Sequence, residues 1–500
     1  LIGRICSDVK KILIILLIGF GLRIWGISFG LPNIFARPDE ARVINVAVRF
    51  FTGDMNPHFF FYPTLLMYLL HFIFRIYAII KPGIISVYNP QFYLIARLVS
   101  AIAGTATCYF LYRIGKEYHS EKLGLTAAFI LALLYLHVRD SHFGTTDILT
   151  TLLIIISFYF MLRITRQPNI TSYFLAGLFL GLATSTKYTA FFLVFELILI
   201  HILTPHRDSK KLLVSILTAI VGFIATSPYT LIDFHTFKTS TLLEFKHQSL
   251  GHMINGFPPI RLEQGWWYHL RFSLWFGMGP TLMIASFLGI GLHFQKSFKT
   301  ALIFYFPALI FYCIIGRSWV VFVRYAIPLL PFLVLGSGFL ISQISEYVKF
   351  LRGEVMTFIL VIILMIPSIR CIILCNQLLS RKDTRVIAAE WIKRNLPSGL
   401  TTTQLGSKWS EVQLRTLQPV PLSSNPELVI VKKSPLRYYD LIPREIEESL
   451  QKEYHLIKKI QTATGRGKGR YDEQDAFYLP YIGLEAISRP GPNIEIYLRN

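Results

Sequence analysis

The feature that most limits this chain is a series of long apolar runs separated by short polar linkers. About 18 to 20 apolar residues in helical form match the thickness of a bilayer's hydrocarbon core. Inside that core each backbone N–H and C=O needs a partner within the chain, which makes the α-helix the form such runs take. Runs at 11–30, 92–112, 123–138, 148–163, 172–184, 189–203, 212–228, 272–294, 300–316, 325–345 and 355–375 predict a polytopic α-helical membrane protein. The expected count is about 11 membrane helices.

Lysine and arginine outnumber aspartate and glutamate by 50 to 29, a formal charge of +21. In a soluble protein that excess raises the question of nucleic acid. Here most basic residues flank apolar runs, so membrane orientation and anionic lipid groups account for them, and no nucleic-acid partner is expected. Five cysteines, mostly in or near the runs, lack a repeated Cys-x-x-Cys and histidines at ligand spacing, which argues against a disulfide framework or a zinc site. Arg4, Lys10 and Lys11 before the first run imitate a secretory signal, but the many runs that follow favour an uncleaved first helix. Because the first residue is Leu1, a few residues are expected to precede it.

The stretch 62–80 is opened by Pro63 and interrupted by His71 and Arg75, a pattern equally suited to a helix lying at the interface or re-entering. If it does not cross, the linkers carrying Arg113, Lys116 and Lys122, Arg163 and Arg166, Arg207, Lys210 and Lys211, Lys296 and Lys299, and Lys349 and Arg352 share one side with the N-terminus. That is the positive-inside pattern. The scheme makes 172–184 and 189–203 a pair of short helices that enter and leave on the cytoplasmic side, broken near Thr186-Lys187-Tyr188. Irregular segments 31–61, 139–147, 229–271 and 317–324 then share the outer face with everything after about residue 376, and Asp39, Glu40 and Asp147 lie on that one side.

The organisation expected is a transmembrane domain over 1–378 and a small extracytoplasmic α/β domain over 379–500. Asp383 can cap a helix running to Asn395, Glu427 to Lys433 reads as a strand, Pro443 to Tyr454 as an amphipathic helix and Asn493 to Leu498 as a strand. Gly465 to Arg470 reads as a solvated basic loop, with lipid or acceptor contact the alternative.

Carboxylates at the mouth of a membrane helix are costly to desolvate, so they are solvated, paired or functional. Asp39, in Pro38-Asp39-Glu40, is readable as a cap on the helix that follows, and Asp147 as a cap on the next span. Neither alone identifies an enzyme.

The pattern as a whole resembles the protein O-mannosyltransferase-like glycosyltransferases of family 39 and the lipid A aminoarabinose transferases, within the GT-C superfamily. The resemblance rests on Pro38-Asp39-Glu40, Gly53-Asp54, Asn56-Pro57-His58, Tyr62-Pro63, Ala96-Arg97-Leu98, Ser141-His142, Thr146-Asp147, Gly181-Leu182-Ala183 and Thr186-Lys187-Tyr188. It continues through Arg324-Tyr325 with Pro328 and Pro331, then Asp383-Thr384-Arg385 with Trp391-Ile392. It implies a transferase that moves a sugar from a polyprenyl-phosphate donor to an outer-face acceptor, with interfacial helices in the first outer loop. By the same resemblance Asp39 is the expected general base, with Glu40 and Asp147 orienting the acceptor or tuning that base. Arg37 stands where the family usually has histidine.

A lipid-phosphate leaving group needs charge stabilisation more than a proton. Outer-face arginines run against the positive-inside bias, and Arg324 and Lys187 are the expected anion contacts. Arg42, His58, Tyr62, His142 and Tyr325 complete the candidate substrate-binding set. The plainer readings are snorkelling for Arg324 and solvation or capping for the histidines. His247 and His252, five apart, depart from the spacing of a helical zinc pair; no metal site is expected there, and a divalent cofactor is a weak alternative. Gly251, Gly256, Pro258 and Pro259 suit a mobile lid within 229–271, and Trp266-Trp267-Tyr268 an interfacial aromatic belt. The rivals are a transporter or lipid flippase, which predicts repeats and midplane ionisable groups, and a non-catalytic scaffold displaying the tail.

Overall fold

A computed structural model describes residues 2–83, 85–205, 207–253, 259–347, 353–414, 417–439 and 442–500. Lys349, Arg352, Gly256 and Pro258 lie outside them. The chain divides into two compact units, one of Leu1–Ile24, Val43–Ile85 and Ile95–Ile372, the other of Trp25–Arg42, Ser86–Leu94 and Ile373–Asn500. The long stretch of the second unit begins at Ile373, and that unit also takes in the segment carrying Asp39.

The first unit is a helix bundle. Among the described residues six helices are long and apolar enough to cross a membrane, or seven if the pair Gly265–Met278 and Pro280–Lys296 is one span. The expected single span 272–294 is therefore corrected: it is bent by 110°. Gly279, at φ +87, supplies a left-handed residue that stops one helix, and Pro280 starts the next at a position where no N–H is needed. The expected run 123–138 also divides, into Glu121–Ala132 and Tyr135–Asp140. Carbonyls left over where the first of these ends accept from the buried Arg23, at 3.3 Å from Leu131 and 3.2 Å from Ala132.

Two helix ends are distinguishable in this unit. At one, Leu65 N–H donates to Ser185 C=O, Ser185 shares a 2.7 Å hydrogen bond with Ser227, and Thr64 bonds Thr226 C=O. At the other, Lys211 donates to Pro168 C=O and Lys299 to Leu203 C=O, both at 2.8 Å, so the basic linkers meet. Ile170–Thr184 begins and Val194–Leu203 ends beside these linkers, and the turn between the two helices carries Lys187. Helix Thr146–Arg166 runs between the two ends; 21 residues at about 1.5 Å each separate them by roughly 30 Å.

Close helix approach in this bundle depends on missing side chains. A Cβ on Gly177 would lie 2.0 Å from Ser215 C=O, and one on Gly181 2.1 Å from Ala219 C=O. Small residues let these backbones touch where burial from water gives no driving force. On the far side of helix Ser209–Thr226, Leu213, Leu217, Ile220 and Val221 stay exposed, which suits lipid.

The expected irregular lid over 229–271 is a second correction: Phe234–Leu250 is a helix of 17 residues, capped by Asp233 accepting from Thr236 N–H. Its apolar residues follow no 3.6-residue stripe, so periodicity did not reveal it. Asp233 was its one legible start signal. The stretch 62–80 forms the helix Leu65–Ile80, on which the buried His71 donates from Nδ1 to Ala47 C=O at 3.0 Å. Trp266 meets Tyr312 edge to face, while Trp267 is exposed.

The second unit is built on a five-stranded sheet of β1 (Thr401–Leu405), β2 (Gln418–Pro419), β3 (Leu428–Lys433), β4 (Tyr454–Ile460) and β5 (Asn493–Arg499), in the order β2-β1-β3-β5-β4. β1 pairs parallel with β2 and β3, and β5 pairs antiparallel with β3 and β4. The expected helix after Asp383 is Thr384–Asn395, with the Asp383 side chain accepting from Arg385 N–H. The expected strand before Lys433, the helix Arg444–Glu453 and the last strand are also present, and Gly465 to Lys468 is an exposed loop. β1 and β4 were not anticipated, because their alternation is broken by Thr, Gln, His and Lys.

Lys432 on β3 is buried and donates to Ser407 C=O at 3.2 Å. Burial first, and the charge of Arg385 against the opposing pull of Glu411, bring its ammonium from 10.5 down to about 8. A lowered lysine pKa means the folded chain binds fewer protons, so stability rises as pH climbs from about 8 to 10.5 and the cost is complete below that window. Lys432→Met is expected to stabilise the protein at pH 7 by on the order of 3 kcal/mol, read as a higher thermal midpoint, and to lose that advantage near pH 10.5. Gly181→Val is expected to cost about 1–3 kcal/mol in detergent melts, whereas Gly21→Ala, which meets nothing within 4 Å, leaves the midpoint in place.

Candidate active site

Asp147 is not the cap of its helix. Thr145 holds that position, and Asp147 is the second residue of Thr146–Arg166, where the helix dipole favours an acid. Its side chain is 3% exposed and bracketed by two cations. Lys187 Nζ donates to Oδ1 at 2.6 Å, and Arg324 Nε lies 3.7 Å from Oδ2. Lys187 reaches this place because the chain breaks between Ile170–Thr184 and the tight turn Tyr188–Leu193. Arg324 reaches it from the tight turn Val323–Leu329, which precedes Leu330–Tyr347. The aromatic faces of Tyr325 and Phe322 cover the cations, at 4.4 Å from Lys187 and 4.1 Å from Arg324.

A polar chain missed in the sequence extends this cluster. Gln248, on helix Phe234–Leu250, donates to Glu244 at 2.6 Å and lies 3.2 Å from the Tyr325 hydroxyl. Ser318 donates to the Gln248 amide oxygen at 2.5 Å. Burial pushes the Glu244 carboxyl up, but hydrogen bonds from His247 and Gln248 and the charges of His247 and Lys187 outweigh it and hold the acid below its ordinary range. His247 and His252 face each other at 3.1 Å, and among the described residues no three metal-ligating side chains converge. The Glu244-x-x-x-Gln248 spacing would have aligned these two side chains had the segment been read as a helix.

The remaining candidates divide. Tyr62 lies within electrostatic reach of Tyr325. His142 is fully buried and donates from Nδ1 to Val138 C=O at 2.9 Å. His58 is exposed, at φ 44, and pairs with Asp54 at 2.8 Å beside Asn56, which donates to Asp233.

In the second unit, Asp39 and Glu40 occupy the first turn of Pro38–Arg49, so Asp39 again sits inside the helix rather than at its cap. Asp39 is half-buried, Glu40 buried and Arg42 exposed. The segment is stapled to the tail by buried guanidinium groups. Arg37 forms an ion pair with Asp475 and covers the Phe477 ring at 5.2 Å. Arg385 is held by Asp383 at 2.6 Å and donates to Phe35 C=O at 3.1 Å and Trp409 C=O at 2.8 Å. Asn33 adds a bond to Glu411 C=O at 3.0 Å. The Tyr439 hydroxyl donates to Gln474 C=O; burial, then Asp475 and Asp39, hold it well above the usual tyrosine range. Asp39 is thus in electrostatic reach of a hydroxyl that stays protonated.

Residues 86–232 match the family model described as dolichyl-phosphate-mannose-protein mannosyltransferase. The structure is similar to the oligosaccharyltransferase of Archaeoglobus fulgidus, with a TM-score of 0.58 and 12% identity over 98% of this chain and 88% of that one. It is similar also to ArnT from Cupriavidus metallidurans bound to undecaprenyl phosphate, with a TM-score of 0.55 and 13% identity over 99% and 98%. The chain has the GT-C glycosyltransferase fold. A third structure with the GT-C fold is AglB of Archaeoglobus fulgidus in complex with an inhibitory peptide and a dolichol-phosphate, at a TM-score of 0.50 and 11% identity over 85% and 69%. No curated protein sequence matches significantly.

Removing one partner of a buried ion pair typically costs about 3–5 kcal/mol. Asp475→Ala is expected to lose stability by that amount, read as a lower thermal midpoint, and adding Arg37→Met to restore part of it; equal melting of Asp475→Ala and the parent would show that the pair does not hold the segment.

Proposed function

We propose that this chain transfers a sugar from a polyprenyl-phosphate-linked donor to an acceptor on the extracytoplasmic face. The observation that carries the reading is the Asp147 carboxylate with Lys187 at 2.6 Å and Arg324 at 3.7 Å, two cations steadied side by side at one helix end. A departing lipid phosphate is an anion of the kind such a pair receives, and charge-assisted hydrogen bonds to it are among the stronger ones available. Support also comes from structures of this fold that hold undecaprenyl phosphate or dolichol-phosphate.

In the proposed reaction Asp39 takes the proton of the acceptor hydroxyl or amine. The acceptor atom bonds to the sugar's anomeric carbon as the bond to the phosphate oxygen breaks, and the polyprenyl phosphate leaves with the electron pair. Glu40 tunes the base, and Asp147 orients Lys187 and Arg324. Tyr62, Tyr325, Arg42, His58 and His142 are the proposed further substrate contacts. In this reading the protein lies in a cytoplasmic membrane with the Asp147 end and residues 379–500 on the extracytoplasmic side; the basic linkers gathered at the end of the bundle opposite Asp147 support that orientation.

Sugar transfer from a synthetic polyprenyl-phosphate donor by purified protein tests this. Asp39→Asn is expected to lower kcat about 100- to 10,000-fold at an unchanged melting temperature. Lys187→Gln is expected to lower kcat/KM about tenfold or more. A wild-type rate in Asp39→Asn would remove the base from the scheme.

A further inference from the structure

The end of the bundle remote from Asp147 contains a cavity of about 410 Å³. It lies within the first unit, between the linker after Tyr118, the last turn of Thr146–Arg166, the linker at Ser297 and the far half of Leu330–Tyr347. Its volume falls in the roughly 300–1,000 Å³ range of ligand sites. The walls are of two kinds. Leu123, Leu162, Phe304, Leu335 and Phe339 are buried and make an apolar interior. Arg166, Lys296 and His119 are exposed at the mouth, and among the described residues no carboxylate lines the cavity.

The basic groups at the mouth are held by neutral partners. Arg166 lies over the Tyr118 ring at 4.4 Å, and Lys296 donates to the Gln343 amide oxygen. In the wall the buried His293 stacks on Phe339 at 4.3 Å, between the Tyr305 and Thr300 hydroxyls, each at 3.1 Å. The neighbouring acids are engaged elsewhere: Glu117 with Arg113 and with the Tyr159 hydroxyl at 2.7 Å, and Glu121 with Lys116 at 3.0 Å. A positive mouth over an apolar interior, at the end of membrane-length helices, matches an amphiphile whose head is an anion. A soluble phosphate would use the mouth alone, and a neutral lipid the interior alone.

We propose that this cavity is a binding site for an anionic phospholipid, its headgroup at Arg166 and Lys296 and its acyl chain against Leu162 and Phe339. Nothing in the transfer reaction requires it, so the two readings succeed or fail separately.

Delipidated full-length protein titrated with phosphatidylglycerol or phosphatidylcholine of identical acyl chains, and followed by native mass spectrometry, tests it. Phosphatidylglycerol is expected to bind at least about tenfold more tightly, since each basic residue near a charged lipid contributes measurably. Equal binding of the two lipids overturns the proposal, whatever the variants do. Arg166→Gln with Lys296→Gln is expected to erase the preference while phosphatidylcholine binding stays as it was. Thr165→Trp, which fills the cavity and keeps its cations, is expected to lower phosphatidylglycerol binding as well. If only the charge variant has an effect, the lipid is held by surface charge and the cavity assignment fails. Displacement of phosphatidylglycerol by millimolar inorganic phosphate at a site that also binds phosphate alone would assign the cavity to a free anion instead.

Discussion

A charge removed from water must meet a partner, and that constraint explains most of what is specific in this structure. The apolar runs form helices on their own account, but helices alone leave their mutual arrangement open. Buried charges narrow the choice. Arg23 ties the first helix to carbonyls of a broken one, Lys187 and Arg324 draw two chain breaks to Asp147, and Arg37 and Arg385 fasten an early segment to the tail. For Arg23 the distant partners lie where a helix stops and leaves carbonyls over; for the others they are mainly carboxylates.

The same constraint separates the functional candidates from the structural ones. Arg37 and Arg385 end on carboxylates and carbonyls of their own unit, in geometries that use them as fasteners. Lys187 and Arg324 share one carboxylate between them and lie against aromatic faces, which steady both cations at one place.

The sequence was a good guide wherever a signal is local. Length and hydropathy marked the long runs, the Asp383 cap marked Thr384–Asn395, and charge in the linkers marked the end of the bundle where they gather. It was a poor guide where the signal depends on a neighbour distant in the chain. Phe234–Leu250 has no apolar stripe of its own and is read as a helix only once Gln248 meets Tyr325 and Ser318. The bend at Gly279-Pro280 is written in two residues that also occur in straight spans. At the candidate site, Asp147, Lys187 and Arg324 were legible as ionisable groups at span ends. The Glu244 network was not, because the segment holding it passed for a loop.

The staple between Arg37 and Asp475 joins residues 438 positions apart. A ribosome therefore makes the guanidinium long before the carboxylate that it meets. Until Asp475 has been added, the segment bearing Asp39 lacks the partner that fastens it, and a chain that stops short of Asp475 leaves that segment unfinished.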